Sequence, residues 1–215
     1  MARLIVDGKE IQSEDGVTVL QACLDNNIYI PNLCYLKEMS DPPGSCRLCF
    51  VEIQGYDAPV PSCTVKCKEG MVIRTDTEQV RRLQKIAFEF LISVHHVDCK
   101  ACPANRKCEL QRIARFLGLG LRLKNLKQID RDVKSEENHP YLTYVPNRCV
   151  LCGKCIFVCR EKNGNAMLSF AKRGLDTVIS FFGENDTANS KCSQCYACVE
   201  VCPVAALLIK NGIKP

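Results

Sequence analysis

Seventeen cysteines and three histidines are the residues of this 215-residue chain whose spacing points to chemistry. Closely spaced thiolates, alone or with an imidazole, hold iron in iron–sulfur clusters or hold zinc. Eight cysteines repeat one spacing, C-x2-C-x2-C-x3-C, first at Cys149, Cys152, Cys155, Cys159 and then at Cys192, Cys195, Cys198, Cys202. Four others, Cys34, Cys46, Cys49 and Cys63, run C-x11-C-x2-C-x13-C, and a mixed group reads His95-x3-Cys99-x2-Cys102-x5-Cys108. With iron such sites pass single electrons; with zinc they only stabilise a fold.

The doubled run has the spacing of two-cluster bacterial ferredoxins, in which three cysteines of each run hold one cubane and the fourth crosses to the other. On that reading Cys149, Cys152, Cys155 and Cys202 hold one 4Fe-4S cluster, and Cys192, Cys195, Cys198 and Cys159 hold a second. Structural zinc is the rival. Zinc favours two separated cysteine pairs, whereas cysteines at i, i+3 and i+6 wrap one loop around a larger object.

The set from Cys34 to Cys63 lacks the four-residue interval of plant ferredoxins but shares their logic. Asp41-Pro42-Pro43-Gly44-Ser45 is a run of turn formers that presents backbone amides around sulfur, and Gly44 permits a close approach. One 2Fe-2S cluster is expected there. Cys23 falls in an apolar helical stripe and reads as a core residue; Cys67, four residues past Cys63, reads as a spare thiol. In the mixed group, three cysteines at ligand spacing just downstream favour His95 as a ligand, ahead of His96. One histidine and three cysteines also suit a zinc site, so these residues leave the metal open.

The elements that carry these groups read as a small mixed domain followed by helices and a cysteine-rich end. Leu4 to Val6 and Glu10 to Gln12 suggest a hairpin across Asp7-Gly8-Lys9. Thr18 stands as an N-cap ahead of Val19, Leu20, Cys23, Leu24 and Ile28 at helical spacing. Phe50 to Gln54 is strand-like. The spacing predicts a helix over 77–94 with Val80, Leu83, Ile86, Ala87, Phe90, Leu91 and Val94 on one face, and another from Cys108 that ends at Gly118-Leu119-Gly120. Residues 121–146 are polar and carry Pro140 and Pro146, so they read as a linker and docking segment. Ala166 to Phe170 and Thr177 to Phe181 suggest a hairpin over Arg173-Gly174. The expected division is 1–76, 77–120, 121–146 and 147–215.

No signal peptide precedes the first strand-like segment, and no apolar run reaches about eighteen residues, so a membrane span is not expected. The cysteines then sit in a reducing, cytoplasmic setting where metal binding is the default over disulfides. The formal charge of +5 is no argument for nucleic acid. Four clusters at roughly −2 each bring the loaded protein to about neutral or slightly acidic. Basic residues from Lys66 to Lys127, Lys124 among them, spread over several elements and read as solvated faces or partner contacts.

Taken together, the C-x11-C-x2-C-x13-C site, the H-x3-C-x2-C-x5-C site and the paired cubane runs resemble, over the full chain, the N-terminal region of the complex I 75 kDa-type subunit. They resemble equally the iron-only hydrogenases and the diaphorase subunit of NAD-reducing nickel–iron hydrogenases. The resemblance implies an α+β chain with three parts: an N-terminal β-grasp 2Fe-2S domain, a small helical domain with a 4Fe-4S cluster on His95, Cys99, Cys102 and Cys108, and a C-terminal two-cluster ferredoxin-like domain. Arg160 follows Cys159 where many ferredoxins have proline, as in Cys202-Pro203, and this bears on that cluster's potential.

No large molybdopterin-type or catalytic-cluster domain follows, so the chain most resembles the stand-alone diaphorase subunit. The implied role is non-catalytic in itself: an electron relay inside an NAD(P)-coupled oxidoreductase. Its partners would be a flavin (FMN) subunit that oxidises NAD(P)H, a thioredoxin-like 2Fe-2S subunit, and nickel–iron hydrogenase small and large subunits. The same relay in a formate dehydrogenase or complex I-like NADH dehydrogenase is the alternative, and a zinc-stabilised interaction module is the rival from another class. No nucleophile–base pair, phosphate-binding glycine loop or dinucleotide fingerprint is present.

Overall fold

A computed structural model describes residues 1–123, 126–129, 131, 133, 139–164, 167–182, 192–193 and 195–210. Lys124 and Ala166, named above, and parts of 121–146 lie outside the described residues. The chain divides into two compact units: residues 1–90 with 113–120, and residues 91–112 with 121–215. The 77–120 stretch is therefore shared between two units.

In the first unit β1 (Ala2–Val6) and β2 (Lys9–Ser13) form the expected hairpin in antiparallel register from Ala2 opposite Ser13 to Val6 opposite Lys9. Asp7 and Gly8 both take positive φ, 49° and 79°, the backbone of a two-residue turn matched to strand twist. Helix α1 (Val19–Asp25) is capped by Thr18, whose hydroxyl accepts from the Gln21 N–H at 3.2 Å. With β3 (Phe50–Ile53), β4 (Val60–Pro61) and β5 (Val72–Arg74) the hairpin completes a mixed five-stranded sheet, ordered β2-β1-β5-β3-β4, with β1 and β5 parallel. Leu4, Val6, Val51, Ile53 and Ile73 from the sheet pack with Val19, Leu20, Ala22 and Cys23 from α1 in one core.

Helix α2 (Glu78–Ser93) covers the expected range, but its buried face differs from the apolar stripe. Val80, Gln84, Ala87, Phe88 and Ile92 are buried, while Ile86 and Phe90, one turn apart, are exposed. The reason is Gln84, which is fully buried and donates its side-chain amide to the Phe50 carbonyl at 3.1 Å. A satisfied polar side chain occupies a core position that an apolar pattern assigns to a neighbour. Helix α3 (Glu109–Leu117) stops at Gly118 with φ of 66°, a left-handed C-terminal residue.

In the second unit β6 (Leu142–Tyr144) pairs antiparallel with β9 (Leu207–Ile209), so part of the stretch read as linker is a strand. Between them come a 3-10 turn (Pro146–Arg148), α4 (Lys154–Asn163), the hairpin of β7 (Leu168–Ala171) and β8 (Val178–Phe181), and α5 (Ala197–Glu200). The hairpin's connection includes a 3-10 turn over Gly174–Asp176. Equivalent positions of the two cysteine runs share a backbone device: Gly153 and Tyr196 each follow the second cysteine in the left-handed region, and each opens a helix. The helices then differ. Arg160 lets α4 run on to Asn163, whereas Pro203 stands just beyond the end of α5 at Glu200.

Candidate metal centres

All seventeen cysteines are free of disulfides. In the first unit Cys34, Cys46, Cys49 and Cys63 are all buried, on the loop that precedes β3 and the loop that leaves β4. The Cys34 and Cys46 sulfurs are hydrogen-bonded to each other at 3.4 Å, and this contact, with the backbone amides of Cys46 and Ser45, holds the Cys34 thiol well below its usual range. The contact with Cys34 pushes the Cys46 thiol up, the contact with Cys63 does the same for Cys49, and burial adds to both. Gly44 takes φ of 59°, and a Cβ there would come within 3.2 Å of Thr64, so the tight loop rests on its glycine.

Cys23, on α1, and Cys67 are buried in the same core cluster that takes in Cys49 and Cys63. Burial pushes the Cys23 thiol up to about 12 and raises Cys67 as well, the behaviour of inert core thiols.

In the second unit three cavities are each lined by one group of candidate ligands. One holds His95, Cys99, Cys102 and Cys108. Another holds Cys149, Cys152, Cys155 and Cys202, and the third Cys159, Cys192, Cys195 and Cys198. The fourth cysteine of each run thus faces the cavity of the other run. Among the described residues no three of His, Cys, Asp or Glu converge as ligands of a single metal ion would.

His95 is buried, and its Nδ1 lies 2.9 Å from the Arg148 carbonyl oxygen. A carbonyl only accepts, so Nδ1 carries the proton and Nε2 keeps its lone pair, the state a metal-binding imidazole needs. Burial lowers the imidazole's proton affinity and keeps it neutral. His96 is exposed, and its backbone N–H donates to the Asn147 carbonyl at 2.7 Å.

The sulfurs of the paired runs receive local donors. The Leu151 N–H reaches Cys149 at 3.4 Å and the Ala206 N–H reaches Cys202 at 3.3 Å. The Met167 N–H reaches Cys159 at 3.3 Å, and the Asn163 side-chain amide is 3.6 Å from the same sulfur. Tyr144, fully buried on β6, accepts from the Ile179 N–H at 3.2 Å and lines the same cavity as Cys149, where its hydroxyl partly offsets the rise that burial gives the Cys149 thiol.

Burial drives the thiols of Cys152 and Cys198 up to about 12 and raises Cys149 and Cys155 too. Thiolates are unfavourable in such a site without a cation to compensate them, and iron would supply that charge. The donor sets and cavities therefore fit iron–sulfur clusters. Asn163 was missed from the sequence, although its place four residues after Cys159 in a helix that lacks the proline would have found it. Tyr144 had no such signal: it stands five residues before Cys149, and nothing in its spacing marks it as lining that cavity.

Residues 1–78 match the family model of a 2Fe-2S iron–sulfur cluster binding domain. Residues 84–121 match the NADH-ubiquinone oxidoreductase-G iron–sulfur binding region, and residues 139–208 the ferredoxin-like domain of NADH-quinone oxidoreductase subunit 3. Over 97% of its length the chain is 34% identical to a G-type subunit of NADH-quinone oxidoreductase, the second of its kind in Rhizobium meliloti (strain 1021), covering 24% of that protein. It is likewise 34% identical over 98% of its length to the NADPH-Fe(3+) oxidoreductase subunit alpha of Geobacter sulfurreducens, again covering 24%. To the NADP-reducing hydrogenase subunit HndD of Solidesulfovibrio fructosivorans it is 29% identical over 97%, covering 36%. The chain thus spans about a quarter to a third of these relatives. A solved chain of NAD+-reducing [NiFe]-hydrogenase in the H2-reduced state superposes with a TM-score of 0.85 at 27% identity, covering all of this chain and 90% of that one. No helix among the described residues is long and apolar enough to cross a membrane.

Proposed function

Because the chain is an iron–sulfur electron-transfer protein related to the G-type subunits of NADH-quinone oxidoreductase and to NAD+-reducing [NiFe]-hydrogenase, we propose that it is the relay subunit of an NAD(P)-coupled hydrogenase. It would work between an FMN-containing subunit that oxidises NAD(P)H and a nickel–iron hydrogenase module, with a thioredoxin-like 2Fe-2S subunit in the same complex. Bound clusters would supply reversible one-electron chemistry. Cys34, Cys46, Cys49 and Cys63 hold a 2Fe-2S cluster in this reading, and three 4Fe-4S clusters take the other ligand groups: His95 with Cys99, Cys102 and Cys108; Cys149, Cys152 and Cys155 with Cys202; and Cys192, Cys195 and Cys198 with Cys159. The observation that carries it is the likeness, over the whole chain, to the solved [NiFe]-hydrogenase chain. Unpaired cysteines throughout support a reducing, cytoplasmic setting.

The test is the native complex isolated through this subunit, with the chain's paramagnetic signals followed under different reductants. Hydrogen and NAD(P)H should each reduce them. Reduction by NAD(P)H and formate with none by hydrogen would place the relay in a formate dehydrogenase instead.

The residues divide the work of holding and tuning. His95, neutral with its Nδ1 proton on the Arg148 carbonyl, replaces one anionic thiolate. His95→Cys is expected to retain about four irons at that site but lower its potential, on the order of a hundred millivolts by analogy with histidine ligation in Rieske centres. Redox titration followed by electron paramagnetic resonance reads it, and unchanged signals would remove His95 from the ligand set. Tyr144, beside Cys149 in the cavity, would stabilise extra electron density on that sulfur by donating its hydroxyl proton toward it. Tyr144→Phe should lower the potential of the cluster on Cys149 by about 59 mV, the equivalent of tenfold for one electron. The neighbouring cluster should be unmoved, and a potential unchanged in both would exclude the hydrogen bond as a tuning device.

A further inference from the structure

His139 lies just before β6 and takes no part in the ligand groups. Its ring is buried, it packs against the Phe181 ring with centroids 4.6 Å apart, and it lines the same cavity as Cys159, Cys192, Cys195 and Cys198. Two backbone donors fix its protonation. The Tyr141 N–H reaches Nδ1 at 3.2 Å and the Leu142 N–H reaches it at 3.1 Å. An atom that accepts from two N–H groups carries no proton of its own, so the neutral ring has its hydrogen on Nε2. Among the described residues Nε2 has no hydrogen-bond partner. With Nδ1 committed to the backbone, Nε2–H is the ring's remaining polar group, and the cavity is where a partner for it would stand. Sulfur bearing negative charge is the acceptor that this cavity's ligands would provide.

We propose that His139 donates its Nε2–H to the sulfur of the 4Fe-4S cluster held by Cys159, Cys192, Cys195 and Cys198, and so raises that cluster's reduction potential. The proposal rests on the cluster reading of this cavity. His139 is a positioning residue that acts on the cluster's electron affinity and not on its retention. A proton donated to sulfur stabilises the more negative, reduced state more than the oxidised one. Together with Tyr144, which faces the other cavity from the far end of β6, His139 makes this one strand and its entry a source of donors to both clusters.

Two variants of the holoprotein separate the donor from the scaffold. In His139→Asn the side-chain oxygen reaches the place of Nδ1 and accepts the two N–H groups, but the amide stops short of the cavity. In His139→Gln the amide extends to the place of Nε2 and still donates. Iron and acid-labile sulfide are measured beside a redox titration followed by electron paramagnetic resonance. The Asn variant should need a potential about 59 mV lower for half-reduction, a tenfold change for one electron, while the Gln variant stays near wild type and both keep their iron. Equal potentials in all three proteins, or equal lowering in both variants, would overturn the proposal.

A wild-type measurement stands independently of how the variants fold. Labelling histidine with 15N should add a weak nitrogen coupling to this cluster's reduced signal, separate from that of the His95-ligated site. Absence of that coupling in a protein with full iron content defeats the role of His139 alone. Absence of iron and sulfide from this site in the wild type defeats the cluster reading beneath it.

Discussion

Removing iron from the holoprotein is expected to unfold residues 139–210 while the sheet of the first unit survives. The two units differ in what fills them. In the first, side chains from α1 and the mixed sheet make a continuous apolar core in which Leu4, Val6, Val19, Leu20, Ile30, Val51 and Ile73 are buried. In the second, Tyr144, Leu168, Ile179, Val204 and Leu207 are buried around two cavities walled by cysteines. Emptied of iron, those cavities leave short strands and the four-residue helix α5 with little apolar surface to bury against one another. Binding free energy is then folding free energy.

Backbone amides of β6 to β9 should exchange roughly a hundredfold faster or more in the apo protein, while those of β1, β3 and β5 keep most of their protection. Limited proteolysis should cut first in the same region. A protease-resistant, slowly exchanging 139–210 segment after full iron removal would refute the expectation.

The second large effect concerns the crossing of the ligand runs. The loaded chain should contain about fourteen irons, one 2Fe-2S and three 4Fe-4S clusters. Cys149→Ala and Cys202→Ala, although 53 positions apart, line one cavity, so each change should remove about four irons and the double variant no more than either single one. Cys149→Ala combined with Cys159→Ala should remove about eight, because those two residues face different cavities despite lying in one run. Cys23→Ala and Cys67→Ala should leave the count unchanged, as the other fifteen cysteines and His95 already fill the sixteen ligand positions of four clusters. Losses that follow the runs, with the Cys149 and Cys159 changes non-additive and the Cys149 and Cys202 changes additive, would show that the clusters do not share ligands across the runs.

What local chemistry fixes was legible in the order of residues alone. Thiolate spacing is a statement about loop geometry, so the groups at 34–63, 95–108 and the two repeated runs could be read without coordinates. So could the Asp7-Gly8 turn, the Thr18 cap and the extent of α2, since each depends on residues within a few positions of one another. The core position of Cys23 followed from its place in a helical stripe.

Whatever depends on pairing between distant segments needed the folded chain. Residues 142–144 carry too few side chains to announce a strand; their partners at 207–209 make them one. Tyr144 on that strand lines the cavity of Cys149, and His139 just before it lines the other. The buried face of α2 was unreadable because Gln84 is satisfied by the Phe50 carbonyl, 34 residues away. The tautomers of His95 and His139 likewise follow from what stands opposite each ring nitrogen: a carbonyl from a distant segment for His95, and two backbone N–H groups held by a strand for His139. Spacing marks which residues can bind iron. The hydrogen bonds to the cysteine sulfurs and to His139 come from residues a few positions away, but the carbonyl that fixes His95 and the cavities that gather each ligand group come from distant segments, and these the fold alone brings together.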